Sequence, residues 1–378
     1  MKFIKRSIQN QIVQSLQPQK VIVLLGARRT GKTVLLNQII EQIQEPFLLL
    51  NGENMTMAEL LANRSPQNYR QLLGDKKVLL IDEAQKIDQI GKVLKLMVDE
   101  IEGLKIIATG SSAFDLKNLA GEPLTGRKKN FRLFPLSEVE YLQVENRFEK
   151  RENMEARLIF GNYPELLNIV GAKEKSDYLQ DVVSSYLLKD ILAFENIRNP
   201  SKIFNLLRLI AYQIGNEVSY QELGKQLGMS KNTVEKYLDL LSKVFVIHKV
   251  GGFSKNLRKE IVKNVRWYFY DNGIRNTIIA NLNPLRMRND VGTLWENYIF
   301  GERIKFQHYN RMLVNNFFWR TYDQQEIDWV EEREGKLFGY EFKWNPKKKV
   351  SAPSGWRNAY PDAFFEIITP ENYFNWVN

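Results

Sequence analysis

The stretch that decides the fold is VIVLLGARRTGKT, which occupies residues 21–33. Its leading apolar residues predict a buried strand, and its last part matches the pattern G-x-x-x-x-G-K-[ST]. Residues 34–43 follow as an amphipathic stretch that predicts a helix. The backbone N–H groups of such a turn, and the positive end of the helix after it, bind phosphate. This part of the chain therefore predicts a site for the phosphates of a nucleotide.

The side chains of this loop have separate predicted roles. Lys32 would reach the β- and γ-phosphates, and the hydroxyl of Thr33 would bind Mg²⁺. The glycines would let the backbone wrap around the β-phosphate. The predicted nucleotide-binding residues are Gly26, Ala27, Arg28, Arg29, Thr30, Gly31, Lys32, Thr33 and Val34.

A second apolar run, VLLIDE at residues 78–83, ends in two carboxylates. Ligands collect at the carboxyl ends of strands in an open α/β sheet, so this end is expected beside the phosphate loop. Asp82 would hold Mg²⁺ through water, and Glu83 would orient or deprotonate the attacking water. The paired carboxylates favour hydrolysis over nucleotide binding alone.

Two residues near the next strands complete a predicted catalytic set of Glu83, Lys32, Ser111 and Arg127. Ser111 follows the apolar run at residues 105–108, where its hydroxyl would bond the γ-phosphate or the water. An ordinary Gly-Ser turn is the alternative. Arg127 precedes the run at residues 131–134, where a guanidinium would stabilise the charge of the transition state. A surface arginine is the alternative there.

Residues 201–270 carry much of the positive charge of the chain. They hold twelve Lys and Arg against five Asp and Glu, a net +7 within a total of +10. Residues 218–238 fit a helix–turn–helix with Ser219 and Ser230 as N-caps, and residues 244–250 with the basic stretch after them would form a wing. A protein-interaction module is the alternative. The residues predicted to contact DNA are Lys231, Asn232 and Lys236.

Carboxylates and a lysine recur with regular spacing near the C-terminus. Asp328 lies in a predicted strand, and Glu341 and Lys343 share one face of the next strand. Glu296, on a predicted helix, would add a further acid. The arrangement is that of restriction-endonuclease-like (PD-(D/E)XK) nucleases, in which carboxylates hold Mg²⁺ and the lysine polarises water. A surface strand without chemistry is the alternative.

These motifs jointly resemble one group of proteins. GARRTGKT, LLIDEAQ, ATGSS, LTGR and LFPLSEVEYL, with the later GNYPELL, YFYDNG, WENYI, EIDWV and YEFK, are similar to AAA+/STAND-like P-loop ATPases of bacteria and archaea. Those proteins pair an N-terminal ATPase with a C-terminal domain of unknown function. The resemblance implies ATP as the nucleotide, the strand order 5-1-4-3-2 and a helical lid.

The predicted fold class is α/β, because apolar runs and amphipathic stretches alternate over the first 135 residues. A P-loop NTPase parallel sheet (1–135) precedes a helical lid or linker (136–200), a winged helix–turn–helix (201–265) and a small α/β endonuclease-like domain (266–378). One function that fits is a Mg²⁺-dependent ATPase that couples nucleotide state to DNA binding or processing. The other is a STAND-like switch whose C-terminal half is a non-catalytic interaction module. Self-association is expected if a neighbouring copy supplies an arginine.

Composition excludes several kinds of site. The 378 residues include no Cys and two His, which excludes disulfides, thiolate nucleophiles and Cys-based metal sites. The longest apolar runs are strand-length, and the first residues lack the apolar core of a signal peptide. We therefore expect a cytoplasmic protein without a membrane segment.

Overall fold

The computed structural model describes residues 3–111, 124–187, 199–254, 265–347 and 351–378. They form two compact units. The first unit holds the described part of Met1–Leu136, Tyr186–Asn196 and Lys243–Phe245, and the second holds that of Ser137–Ser185, Ile197–Ser242 and Val246–Asn378. Most of the basic stretch predicted as a wing, at residues 255–264, lies outside the described residues.

The first unit is built on a five-stranded sheet whose paired strands are all parallel. The spatial order β2-β3-β4-β1-β5 confirms the predicted order 5-1-4-3-2. The strands are β1 (Val21–Leu25), β2 (Phe47–Asn51), β3 (Val78–Asp82), β4 (Lys105–Gly110) and β5 (Lys128–Arg132). The helices are α1 (Gln9–Gln14), α2 (Lys32–Ile40), α3 (Met55–Ala62), α4 (Pro66–Leu73) and α5 (Ile90–Glu100), with a 3₁₀ turn at Ala84–Lys86.

The register of this sheet brings the ends of the central strands to one edge. Leu25, which precedes the phosphate loop, pairs with Gly110, and Asp82 pairs with Asn51. Because the strands run in one direction, their carboxyl ends share the edge at which ligands collect in such sheets. The phosphate loop, the acidic strand end and Ser111 therefore all leave the sheet on this side.

The second unit contains a six-stranded mixed sheet of order β11-β10-β9-β8-β6-β7. The pairs β6/β7, β8/β9 and β9/β10 are antiparallel, whereas β6/β8 and β10/β11 are parallel. The strands are β6 (Ile247–Gly252), β7 (Val265–Phe269), β8 (Asn315–Arg320), β9 (Glu326–Arg333), β10 (Lys336–Phe342) and β11 (Phe364–Ile368).

The described helices of the second unit lie before, between and after these strands in the sequence. They are α6 (Glu138–Tyr141), α7 (Arg147–Phe160), α8 (Ala172–Asp181), α9 (Pro200–Tyr212), α10 (Tyr220–Leu227), α11 (Lys231–Lys243), α12 (Asn272–Ile278), α13 (Val291–Tyr309), α14 (Ser354–Ala359) and α15 (Tyr373–Val377). Pro164–Leu167 and Leu285–Met287 form 3₁₀ turns. A π-helical segment at Val182–Leu187 follows α8, and its last two residues belong to the first unit. Within the described ranges, no helix has the length and apolar character needed to cross a membrane.

The residues of the predicted helix–turn–helix form α10 and α11. Ser219 accepts a hydrogen bond from the N–H of Glu222, and Ser230 accepts one from the N–H of Thr233, as N-caps do. Gly228 ends α10 with a φ of 60°, a left-handed value that favours glycine. The strand β6 pairs both with β7 and with β8. The predicted boundary at residue 265 therefore falls inside one sheet.

Candidate nucleotide site and acidic cluster

The phosphate loop joins the buried strand β1 to helix α2. Gly31 is the N-cap of α2 and has a φ of 94°, which suits a residue without a side chain. The Lys32 ammonium donates to the carbonyl oxygens of Gly26 (2.9 Å) and Ala27 (3.1 Å). The lysine thus bridges the start of its own loop, and phosphate oxygens would compete with these carbonyls for its N–H groups.

Gly26 is held against the neighbouring strand. A Cβ atom at this position would overlap the carbonyl oxygen of Leu133, whose N–H donates to the carbonyl of Leu25 at 2.7 Å. Since the obstructing atom belongs to the backbone, a rotamer change would not relieve the overlap. The first glycine of the motif is therefore required by packing.

The two residues predicted to hold Mg²⁺ are in contact. Thr33 Oγ1 donates a hydrogen bond of 2.7 Å to Asp82 Oδ2 across 49 residues of sequence. Asp82 is buried, and its Oδ1 accepts bonds from the Thr109 hydroxyl and from the N–H of Glu83. A hydroxyl and a carboxylate side by side are hard oxygen donors, which Mg²⁺ prefers. These residues therefore fit the ion.

Glu83 has a backbone conformation that is uncommon for a residue with a side chain. Its φ is 50° and its ψ is 40°, in the left-handed region. Its N–H is shared between Asp82 Oδ1 and Thr109 Oγ1, and the Gln85 amide donates to its carboxylate. Such strain is concentrated at functional sites, because the surrounding structure must hold it in place. The backbone of Glu83 is thus fixed to Asp82, the partner of Thr33, and its carboxylate is held by Gln85.

Ser111 follows β4 directly, at the edge of the sheet where the phosphate loop begins. It is 1% exposed just after β4, and its hydroxyl has no hydrogen-bond partner among the residues that the structure describes. Buried polar groups of native proteins are nearly always paired, so this hydroxyl is available to a ligand or to water.

Arg127 lies at the opposite edge of the sheet. Its carbonyl accepts a hydrogen bond from the N–H of Val21, at the start of β1, and its guanidinium pairs with Asp99. A five-residue strand spans about 16 Å, which separates Arg127 from the phosphate loop. Arg127 therefore does not reach the phosphate loop of its own chain, and its pairing with Asp99 agrees with the alternative of a surface arginine.

Two residues that the sequence analysis did not select support the site. Thr109 is fully buried and bonds both Asp82 and the N–H of Glu83. It is the first polar residue after an apolar run, and that signal could have identified it. Arg6 donates to the carbonyl oxygen of Thr30 from 24 residues upstream. No local sequence pattern indicates a contact of this range.

The second predicted site lies in the second unit. Because Trp329 pairs with Tyr340, Asp328 and Glu341 stand opposite each other on β9 and β10. Lys343 Nζ donates to Glu341 Oε1 at 2.6 Å. The backbone N–H of Phe342, which lies between these two residues, donates to Asp328 Oδ2 at 2.9 Å. The buried Glu341 Oε2 has no hydrogen-bond partner in the described part of the chain. Asp328, Glu341 and Lys343 thus converge.

Glu296 approaches the same residues from α13. It accepts a bond of 2.7 Å from the Tyr268 hydroxyl and interacts electrostatically with Asp328. The Arg266 guanidinium lies 2.9 Å from Glu326 and 3.9 Å from Asp328. Over the described ranges, no three acidic or imidazole side chains form a ready metal cage. We call Glu296, Asp328, Glu341 and Lys343 the acidic cluster.

Burial controls the protonation of the acidic cluster. Burial, reinforced by the charge of Asp328, raises the pKa of Glu296 to about 8 and that of Glu341 to about 7. Burial also raises the pKa of Asp328. Burial alone would lower the pKa of Lys343, but Asp328 and the bond to Glu341 raise it. The cluster therefore holds protons near neutral pH that a bound cation would displace.

The residues predicted to contact DNA are exposed on α11, where Glu235 and Asp239 are also exposed. The helix therefore presents charges of both signs. Arg266, which contributes to the net charge of residues 201–270, is 3% exposed and paired with Glu326. The net charge counted from residues 201–270 is thus larger than the net charge exposed to solvent. The three predicted DNA-contact residues are Lys231, Asn232 and Lys236.

Three family profiles match successive parts of the chain. Residues 18–142 match an AAA domain, residues 151–286 match a domain of unknown function (DUF8612), and residues 291–369 match another domain of unknown function (DUF4143). The first match contains the phosphate loop, the acidic strand end and Ser111. The last contains the whole acidic cluster.

Similar proteins are found in bacteria and archaea. An uncharacterized protein of Mycobacterium tuberculosis is 24% identical over 354 residues, which cover 93% of this chain and 75% of the relative. One from Methanocaldococcus jannaschii is 26% identical over 332 residues, covering 81% and 74%.

Solved structures give weaker likenesses. A STAND protein with a tetratricopeptide repeat sensor, from Pyrococcus horikoshii, is 12% identical with a TM-score of 0.31, covering 82% of this chain and 48% of that one. A Thermotoga maritima RuvB variant is 17% identical with a TM-score of 0.31, covering 61% and 81%. The profile match and the order of the strands together show that the N-terminal part of the chain carries an AAA-type P-loop domain.

Proposed function

We propose that the first unit binds ATP with Mg²⁺ and hydrolyses it. The observation that carries this proposal is the 2.7 Å hydrogen bond between Thr33, in the phosphate loop, and Asp82, at the end of β3. This bond supports the proposal because it joins two residues that would share one Mg²⁺ and that lie 49 positions apart in the sequence. When bound, Mg²⁺ would neutralise part of the charge on the β- and γ-phosphates.

Each side chain has a role that its contacts permit. Lys32 would exchange the carbonyls of its own loop for phosphate oxygens. Glu83, fixed through its N–H and through Gln85, would orient the attacking water and take its proton. The hydroxyl of Ser111, which has no hydrogen-bond partner among the described residues, would bond the γ-phosphate or the water. An arginine from a neighbouring copy would complete the site and require self-association.

Two substitutions test this proposal. Lys32→Ala should weaken Mg·ATP binding by at least about tenfold, because a charged hydrogen-bond donor to phosphate is lost. Glu83→Gln should bind Mg·ATP normally and lose about 100-fold or more in turnover, because the amide cannot accept a proton. Isothermal titration calorimetry and a phosphate-release assay measure the two effects.

Lys95→Ala and Glu100→Gln remove the same kinds of charge from exposed positions on α5, and both variants should behave as the wild type. Normal hydrolysis by Glu83→Gln would show that another residue activates the water. A wild-type protein that gives no heat with Mg·ATP would refute the proposal altogether.

A second candidate function belongs to the acidic cluster, which we propose to be a PD-(D/E)XK-type nuclease site. Its support is the opposition of Asp328 and Glu341 on adjacent strands, with the buried Glu341 Oε2 left without a described partner. Such an oxygen suits a divalent cation, and the adjacent Lys343 suits a scissile phosphate. On this view the sheet and α13 around the acidic cluster form an endonuclease-like domain, and α10 and α11 are a DNA-binding helix–turn–helix whose following strand, β6, joins that sheet.

A plasmid-nicking assay tests the nuclease proposal. Incubation with Mg²⁺ or Mn²⁺ should convert supercoiled plasmid to open circles, and Glu341→Ala should abolish this. Glu334→Gln, on the exposed turn between β9 and β10, is the matched control and should cleave normally. Nicking that persists in Glu341→Ala would indicate a contaminating nuclease. Its absence from the wild type with both metals would favour the alternative of a STAND-like switch with a non-catalytic C-terminal half.

A further inference from the structure

Arg6 makes contacts that the nucleotide motifs do not explain. It lies upstream of the residues matched by the AAA profile, which begin at position 18. Arg6 is 4% exposed, and its guanidinium donates to the carbonyl oxygens of Thr30 (2.7 Å) and Phe134 (2.6 Å). Thr30 belongs to the phosphate loop, and Phe134 follows β5. One buried cation therefore ties the loop to the continuation of the neighbouring strand.

The hold on Thr30 has a consequence for the next peptide group. The peptide between Thr30 and Gly31 is planar and trans, so its N–H points away from its carbonyl oxygen. With that oxygen bonded to Arg6, the N–H of Gly31 faces the other way. Gly31 is the N-cap of α2, where backbone N–H groups are available for an anion.

The segment that carries Arg6 is anchored independently of the loop. Ile4, Ile8 and Ile12 are buried. Gln9 Nε2 donates to the carbonyl of Gln38 on α2 at 3.1 Å, and the Gln38 amide donates back to the carbonyl of Ile4. Substitution of Arg6 would therefore release the loop carbonyl while these other contacts still hold the segment on α2.

We propose that Arg6 is a positioning residue of the phosphate loop. By holding the Thr30 carbonyl it fixes the Gly31 N–H toward the β-phosphate of a bound nucleoside di- or triphosphate. The inference rests on the proposed nucleotide function and adds to it a residue from outside the matched domain.

The test compares nucleotide affinity with turnover. Arg6→Ala should weaken both Mg·ATP and Mg·ADP by about 10- to 100-fold, since one hydrogen bond to a charged group is misdirected and both ligands carry the β-phosphate. The KM of Arg6→Ala for ATP should rise as its affinity falls. Its kcat should stay within about threefold of the wild-type value, because Glu83 is unchanged. Arg6→Lys should recover part of the affinity, because one ammonium can still donate to the loop carbonyl.

Gln9→Ala is the matched control, because it loosens the same segment without touching the loop, and it should bind both nucleotides as the wild type does. Wild-type affinity in a folded Arg6→Ala, or an equal loss in Gln9→Ala, overturns the inference. If Arg6→Ala fails to fold, a loss in Arg6→Lys larger than that in Gln9→Ala supports the inference, and an equal one refutes it. A wild type that binds neither nucleotide overturns the proposed function as well, so the two failures are distinguishable.

Discussion

Asp82 and Glu296 are carboxylates placed in contrasting surroundings. Asp82 accepts hydrogen bonds from two hydroxyls and a backbone N–H. Glu296 accepts one from Tyr268 and has Asp328 as a charged neighbour. Burying a carboxylate near another carboxylate costs free energy, which is expected where function rather than stability keeps the residue.

The raised pKa of Glu296 predicts how stability depends on pH. A glutamate that titrates at about 8 in the folded protein keeps its proton where the unfolded chain has lost it. The folded state then binds more protons than the unfolded state, so stability falls as pH rises from about 4.5, the ordinary pKa of a glutamate, to about 8. Glu296→Gln cannot titrate and keeps an oxygen for Tyr268. Its free energy of unfolding at about pH 8 should exceed that of the wild type by about 1 kcal/mol or more.

Urea unfolding at several pH values without divalent metal measures this difference. The variant should show a shallower decline over the same range, whereas the exposed Glu334→Gln should follow the wild type within about 0.5 kcal/mol. Equal or lower stability of Glu296→Gln at the upper end would mean that Glu296 is ionised in the folded protein.

At the scale of elements, the sequence predicts strands best where burial is complete. β1 and β3 are buried along their whole length, so their apolar runs end within a residue of the strands. β5 is an edge strand in which Phe131 is the buried residue. Because four of the five residues of Lys128–Arg132 are polar, they form no apolar run. The apolar run that predicts this strand lies at residues 131–134 instead, where the buried residues are. Periodicity thus reports burial rather than strand pairing.

The candidate site divides along the same line. Local motifs identify Lys32, Thr33, Asp82 and Glu83, because loop geometry and a strand end are encoded by neighbouring residues. The sequence shows that Arg127 lies next to a strand, but it does not show that this is the end of the sheet away from the phosphate loop. Arg6 was missed because its contact depends on how the first helix docks onto α2. The pairing of strands and the docking of one helix onto another belong to the tertiary structure, which the spacing of residues in the sequence does not specify.

At the scale of the whole molecule, net charge is a poor guide to DNA binding until burial is known. Arg266 is buried against acids, and Lys202 donates to the carbonyl of Gly228. Exposed Glu235 and Asp239 flank the lysines of α11. What supports DNA contact is the exposure of Lys231 and Lys236 on one helix after a turn, not the total of +10.

A salt titration separates the two proposed functions of the second unit. If α11 contacts duplex DNA, the affinity of the wild type should fall steeply with salt, because each neutralised phosphate adds about 0.9 to the slope of log K against log salt. Replacing Lys231 and Lys236 by Gln should lower that slope by about 2. The matched control replaces Lys92 and Lys95 by Gln. This variant loses the same charge from the exposed face of α5, and its slope should equal that of the wild type.

The comparison between the two double variants carries the decision. Equal reductions would mean diffuse attraction by a basic protein, which does not require a DNA-binding module. A reduction confined to the α11 variant would place the DNA on that helix, and the nicking assay with Glu341→Ala would then report whether the bound DNA is also cut. If the wild type does not bind DNA, or binds it with an affinity that does not depend on salt, then α11 does not hold DNA for the acidic cluster to cut. The second unit would then act as the interaction module of an ATP-driven switch.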